Sequence, residues 1–478
     1  MAESLKSKTV KGTLWSTLER FSVQGIQFVV MIIMARLLTP EDYGLVGMLA
    51  IFIAVSQSLI DSGFSQALIR KQDRSEIDNS TVFYFNIAVG IVLYFILFFS
   101  APFIAEFDKE PQLTSITRVI GLSLVFNSLV IVQRALLTIN LDFKTQAKAS
   151  ATGAIFSGIL GIWMAYYGFG VWAIVWQQLS NLAIITILLW FLTHWKPIWA
   201  YSWTSFKELF GFGSKLLASG LLDTIYKNLY LIVIGKVFKA SDLGFYTRAH
   251  QFTDFASSNI TGIFQRVTYP ILCTIQDDDA RLSDVYRRLL KTSAFIVFPL
   301  MLGMAAVARP MIISFLTEKW LFSALIIQVL CFAQMWYPIH AINLNLLQVK
   351  GRSDLFLRLE IIKKVLGVIM LCITLPLGLI QMCWGMVINS LIALVINTYY
   401  TGKLINLGFI VQMRDIFPTF LLSLAVSAVV YFTVNILSIN TWLLMSIGIL
   451  EGITLYVVIA KLMRFSEFSE LIAILKRK

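Results

Sequence analysis

Bases, amides and carboxylates recur at helical spacing inside otherwise apolar stretches of this 478-residue chain. Near its start, Arg20, Gln24 and Gln27 fall at i, i+4 and i+7, one face of a helix, beside Glu19. Lys215, Asp223, Lys227 and Asn228 form a second group, and Arg248, His250, Gln251, Asp254 and Arg266 a third. Gln57 and Asp61 lie close after the first, and Glu360, Lys363 and Lys364 make a fourth group. Arg118 and Arg134 mark one further stretch, and Pro338, His340, Asn343 and Asn345 another. Ionisable groups in apolar surroundings are costly and face a cavity or a partner. A cavity holding several Lys and Arg suits a phosphate-bearing or acidic substrate, whereas a cation carrier would keep unpaired Asp or Glu there. Arg20, Lys227, Arg248, Lys363 and Lys364 are therefore the expected substrate ligands, and Asp223, His250 and Asp254 the candidates for a coupling ion. Each has a structural reading too. Asp223 with Lys227, His250 with Asp254 and Glu360 with Lys364 are i, i+4 pairs that can neutralise each other. Arg20, Lys215, Arg134 and Arg266 lie near helix ends, where long side chains reach the membrane surface.

The elements that carry these groups are membrane helices. Hydrophobic residues make up 58% of the chain and charged residues 14%, with mean hydropathy +0.78. Soluble domains carry roughly 25% charged residues, and a chain of this size could not hide so much apolar surface from water. A bilayer requires spans of about 20 apolar residues, and about fourteen can be read here. Six run over 15–35, 43–64, 81–105, 113–138, 147–168 and 170–193. Six more run over 213–237, 243–270, 290–310, 321–348, 357–378 and 380–402, and the last two over 415–437 and 440–462. The eighth and tenth are polar for membrane helices. The expected class is an all-α polytopic membrane protein.

No short apolar core with a small-residue cleavage site follows Lys6, Lys8 and Lys11, so the first span reads as a retained signal anchor. The termini and even-numbered loops hold about 24 Lys and Arg, the odd loops about 6, which points to cytoplasmic termini. The net charge of +12 reflects this asymmetry and anionic headgroups, and does not argue for nucleic acid. Cys273, Cys331, Cys372 and Cys383 form no CxxC pair and there are three His, so no metal site or cofactor is expected.

A faint repeat organises the spans. Ala35-Arg36-Leu37-Leu38-Thr39-Pro40-Glu41-Asp42-Tyr43-Gly44-Leu45 aligns with Gly235-Lys236-Val237-Phe238-Lys239-Ala240-Ser241-Asp242-Leu243-Gly244-Phe245, Asp and Gly being identical. Each copy joins the first two spans of a six-span block, and an even span count makes the repeat parallel, with its axis along the membrane normal. Thr39 can cap the next helix, Pro40 fits its first position and Asp42 lies in its positive first turn. Ser241 and Asp242 can serve the second copy likewise. Convergence of two helix starts on good capping chemistry is the alternative. The expected organisation is an N-terminal lobe over 1–193, an interfacial linker over 194–212 rich in Trp and Tyr, a C-terminal lobe over 213–403, and two further helices with an amphipathic cytoplasmic tail over 404–478.

Gly12-Thr13-Leu14-Trp15-Ser16, the first copy of the repeat, and Asp61-Ser62-Gly63-Phe64-Ser65-Gln66-Ala67-Leu68-Ile69 resemble bacterial polysaccharide transporters. The similarity is to the Wzx-type flippases of colanic-acid and O-antigen kind, in the multidrug/oligosaccharidyl-lipid/polysaccharide exporter superfamily. That resemblance covers essentially the whole chain. It implies two six-helix lobes around a central cavity plus two C-terminal helices. It also implies a transport function in lipopolysaccharide, capsule or exopolysaccharide biosynthesis. An undecaprenyl-diphosphate-linked oligosaccharide would be flipped from the cytoplasmic to the periplasmic leaflet of the inner membrane by alternating access, with cavity bases holding the diphosphate. A monomer working beside a polysaccharide polymerase is the implied setting.

Three rivals stand beside this reading. A drug/cation antiporter of the same superfamily fits the basic groups poorly. A peptidoglycan-precursor flippase usually has the same span count. A membrane polymerase or ligase would need a catalytic surface, commonly a large loop, but odd loops such as Gly168-Phe169-Gly170 are short and no GxxxxGK[ST] motif is present.

Overall fold

A computed structural model describes residues 22–193 and 195–476, and among them every regular element is helical. Among the described residues eleven helices are long and apolar enough to cross a membrane, which gives the all-α membrane fold the composition demands. Their outward surface agrees. On α4 (Glu76–Asp108), Phe95, Phe99 and Phe103 make an exposed stripe at four-residue spacing that only lipid would tolerate. The chain divides into two compact units, with the boundary between Gly244 and Phe245.

In the first unit, α1 (Ser22–Leu37) leads through a two-residue turn into α2 (Pro40–Asp61). Thr39 caps α2 in a reciprocal box with Asp42, and Pro40 opens it, as the turn chemistry predicts. A short α3 (Phe64–Arg70) precedes α4, whose start Ser75 and Asp78 close with a box of the same kind. The expected fourth span is three short helices, α5 (Leu113–Ile120), α6 (Leu122–Ser128) and α7 (Ile131–Ile139). Then α8 (Phe143–Tyr166) and α9 (Val171–Leu192) form an antiparallel pair held close because Gly161 admits Gln177. The surface segment and the seventh span are one continuous helix, α10 (Trp203–Val237), which packs along α2.

Helix α11 (Ala240–Thr274) crosses the unit boundary. The second unit continues with α12 (Asp279–Ala306), α13 (Ala308–Phe315), α14 (Leu321–Gln334), α15 (Tyr337–Val349), α16 (Ser353–Thr374) and α17 (Leu379–Ile405). It ends with α18 (Phe409–Ile436), α19 (Thr441–Leu462) and α20 (Ser466–Lys476). The tenth span breaks into α14 and α15 just before Pro338, whose missing N–H cannot continue the ladder. Its core is apolar and aromatic, with Trp320, Tyr286 and Phe298 fully buried. Amphipathic α20 is docked on the body: Phe465 and Phe468 pack on Phe295, Leu422, Val426 and Tyr456, and Arg288 pairs with Glu470 at 2.7 Å.

Candidate functional site

Helix α10 carries its polar residues on a sparsely buried stretch. Lys227 pairs with Asp223 at 2.7 Å, the i, i+4 bridge the spacing suggests, yet the Lys227 side chain is 73% exposed. The pair is thus poorly buried within the protein. Gln27, on α1, is also exposed, while Gln57 is half-buried on α2. Arg20 and Glu19 lie outside the described residues.

On α11, Arg248 is buried, whereas Gln251 and Asp254 are exposed and the His250 ring lies tilted against Tyr246, 5.7 Å between ring centroids. A buried guanidinium is expensive in a membrane core unless donors find partners. Its neighbours Thr253, Ser257 and Thr261 follow a buried stripe, and Ser257 donates to the Gln334 carbonyl at 2.9 Å. On α16, Lys363 pairs with Glu360, three residues before it, and Lys364 beside it is half-buried. The structure therefore joins Asp223 to Lys227 and Lys363 to Glu360 as local pairs. On α11, His250 lies within electrostatic reach of Asp254, one turn on, and the α10 residues belong to the first unit while α16 belongs to the second.

A second polar constellation was half legible. His340, Asn343 and Asn345 stood out in the sequence, but their partners come from other helices. Asn343 Nδ2 donates to Gln412 Oε1 at 3.0 Å, and Gln412 Nε2 returns a bond to Asn343 Oδ1 at 3.1 Å. Thr401 Oγ1 adds a 2.7 Å bond to Asn343 Oδ1. Ser390 gives its only proton to the Ala333 carbonyl, so it accepts from His340 Nε2 at 3.1 Å, and Asn397 donates to His340 Nδ1 at 3.2 Å. This assigns the neutral Nε2–H tautomer. The network ties α15, α17 and α18 together without net charge.

Charged groups at the helix ends are engaged structurally. Asp415 receives a bidentate bridge from Arg287, both bonds 2.7 Å, and a further one from Lys291 at 3.5 Å. These bases, with Asp284, Arg288, Ser466, Glu467 and Glu470, line a cavity of about 270 Å³ between α12 and α20. It contains none of the expected site residues. Lys71 bridges Glu208 at 2.9 Å and Asp78 at 3.2 Å, and the hydrogen bond it donates to Glu208 raises its affinity for a proton. Burial and the nearby Glu41 push the Glu110 carboxyl above its ordinary range. Among the described residues no group of three or more His, Cys, Asp or Glu is arranged to hold a metal ion.

Many apolar spans, charged and amide groups within them, and a duplicated helix start define a polytopic membrane protein of transporter type. The chain belongs to the polysaccharide biosynthesis protein family, whose model matches residues 33–325. It is 25% identical over 435 residues to the teichuronic acid biosynthesis protein TuaB of Bacillus subtilis (strain 168), covering 90% of this chain and 89% of that one. It is 24% identical over 397 residues to the lipopolysaccharide biosynthesis protein WzxC of Escherichia coli (strain K12), covering 83% and 80%. Its fold is similar to that of a solved structure of the lipid II flippase MurJ, described as in an inward closed conformation, with TM-score 0.75 and 16% identity, covering 96% of this chain and 100% of that one.

Proposed function

We propose that this protein is a transporter that flips an undecaprenyl-diphosphate-linked oligosaccharide, a polysaccharide repeat unit, from the cytoplasmic to the periplasmic leaflet of the inner membrane. The family match across residues 33–325 carries this reading, supported by relatives named for teichuronic acid and lipopolysaccharide biosynthesis. The physical task is to spare a diphosphate and sugar hydroxyls the cost of crossing hydrocarbon. No covalent step is needed. Fourteen spans in two six-helix blocks plus two C-terminal helices, with cytoplasmic termini, would let the blocks rock in alternating access. The protein would act as a monomer that hands its product to a polysaccharide polymerase.

Arg20, Lys227, Arg248, Lys363 and Lys364 would line the substrate path and hold the diphosphate, and Asp223, His250 and Asp254 would bind a coupling ion. The exposure of Lys227 and of Asp254 supports access from a water-filled path. In a strain without a redundant flippase, deletion should leave lipid-linked repeat units in the cytoplasmic leaflet. Complementation by Lys227→Ala, Arg248→Ala or Lys363→Ala should restore the protein to the membrane but not export. Normal delivery of repeat units in the deletion strain would remove the flippase reading. Normal export by all three variants would remove the site assignment alone.

A further inference from the structure

The duplicated motif is a contact as well as a repeat. Gly44 and Gly244 occupy the same place in α2 and α11, four residues after Pro40 and Ala240, the first residues of those helices. Both glycines are buried. A Cβ on Gly44 would overlap the carbonyl oxygen of Ala240, and a Cβ on Gly244 would overlap the carbonyl oxygen of Pro40. The exchange is reciprocal: each copy offers a bare Cα to the other's first carbonyl, which only glycine permits.

Neighbouring groups hold the two turns in place. The Thr39/Asp42 box fixes Pro40, and Lys239 N donates to Asp242 at 3.2 Å ahead of Ala240. Lys236 donates to the Phe107 carbonyl and lies 3.6 Å from the centre of its ring. From here the antiparallel seam of α2 and α10 continues inward. Gly235 meets Met48, the Ser58 and Thr224 hydroxyls stand 3.2 Å apart, and at the far end a Cβ on Gly63 would come within 2.5 Å of the Gly213 carbonyl. The seam is closed at both ends.

We infer that the reciprocal Gly44–Gly244 contact is the closed outer gate of the transport cycle, and that these glycines are positioning residues that set how readily it parts. The inference rests on the flippase reading and on the membrane orientation that goes with it. The glycine contact itself brings backbone against backbone, with no ion pair in it. Contacts of that kind contribute little each, so the two turns can separate without breaking a strong bond. The same geometry makes the gate intolerant of any side chain, since a single methyl on either glycine occupies the other copy's carbonyl.

The test uses the full chain with Cys273, Cys331, Cys372 and Cys383 changed to Ser and one reporter, Thr224→Cys, on the seam inward of the contact. Spheroplasts are treated from outside with a membrane-impermeant maleimide. Gly44→Ala and Gly244→Ala should each speed labelling by about tenfold, because the closed population falls. Gly220→Ala, whose Cβ meets open space on the same helix, should label as the parent does. Labelling unchanged in both gate variants at equal membrane levels overturns the proposal. If a gate variant fails to accumulate, the pair Ser58→Cys/Thr224→Cys replaces it. Oxidation should then stop export and reduction restore it, whereas export with the pair oxidised overturns the gate. Labelling needs no substrate, so a deletion strain that still exports glycan would remove the flippase reading and leave the gate result standing.

Discussion

Asn343 and Gln412 exchange both bonds of their amides across 69 residues of chain. Each also has a second partner: Asn343 donates to the Ile339 carbonyl at 2.9 Å, and Gln412 to the Leu407 carbonyl at 2.8 Å. The two deletions are not equivalent. Asn343→Leu leaves Gln412 Oε1 short of its donor and the Thr401 hydroxyl with only its longer 3.4 Å bond to the Asn397 carbonyl, whereas Gln412→Leu leaves Asn343 still bonded to Thr401 and Ile339. An orphaned buried polar group costs about 1–3 kcal/mol, while replacing both partners of a pair by apolar groups can be nearly neutral. Asn343→Leu should therefore lower the apparent Tm in detergent more than Gln412→Leu. The double variant should fall short of the sum of the two. Additive losses would mean that the amides do not act as a pair. The same arithmetic explains why one part of the polar chemistry was visible in the sequence and another was not. Asp223 and Lys227 face one another because four residues on a helix bring any two groups together. The partners of Asn343 depend on how α15, α17 and α18 pack, and no spacing encodes that.

At the scale of elements, hydropathy located the helices because burying backbone in lipid demands a length and a polarity that residues declare directly. It did not locate their breaks. An average over a window passes across the turns at Leu129–Val130, Val307 and Met335–Trp336, where bonding switches locally while the residues stay apolar. The eighth and eleventh spans read from the sequence, α11 and α16, are not among the eleven helices apolar enough to cross a membrane, since Arg248, Asp254, Glu360, Lys363 and Lys364 make them polar. The tail shows how amphipathic spacing leaves two outcomes open, lying on lipid or docking on protein. Here α20 docks, and its hold can be divided. Glu470 and Arg288 form a bridge with the arginine side chain 63% exposed, of a kind that contributes about 0.2–1 kcal/mol. Phe468 packs into an apolar cluster, and burying such a ring contributes about 1.5–3 kcal/mol. Phe468→Ala should then release the tail and expose the turn at Arg464 to limited trypsin cleavage, while Glu470→Ala should leave protection near that of the parent. Equal protection in both variants would place the anchoring elsewhere.

For the whole molecule, the decisive quantity is the charge that crosses the membrane in one cycle. A diphosphate carries net negative charge outward, and an inside-negative potential favours that movement by about 2.3 kcal/mol per charge per 100 mV. The protein's own charges change this sum. If Lys227, Arg248 and Lys363 travelled with the substrate through the field, they would cancel the diphosphate and make flipping indifferent to voltage. In alternating access the helices rock by small angles while the substrate crosses the full thickness, so the bases should move through only a fraction of the field. Flipping in proteoliposomes should accordingly accelerate when an inside-negative potassium diffusion potential is imposed with the cytoplasmic face inward. It should slow when the sign is reversed. If Lys227 binds the substrate but travels little, as proposed, Lys227→Ala should weaken flipping at every potential without altering that slope. A rate independent of potential would mean that compensating charge moves with the substrate, as it would if Asp223, His250 and Asp254 returned a counter-ion or the bases crossed with the diphosphate. Measuring the slope with and without a proton or sodium gradient separates those cases. A counter-ion adds its own gradient to the driving force, and moving bases do not.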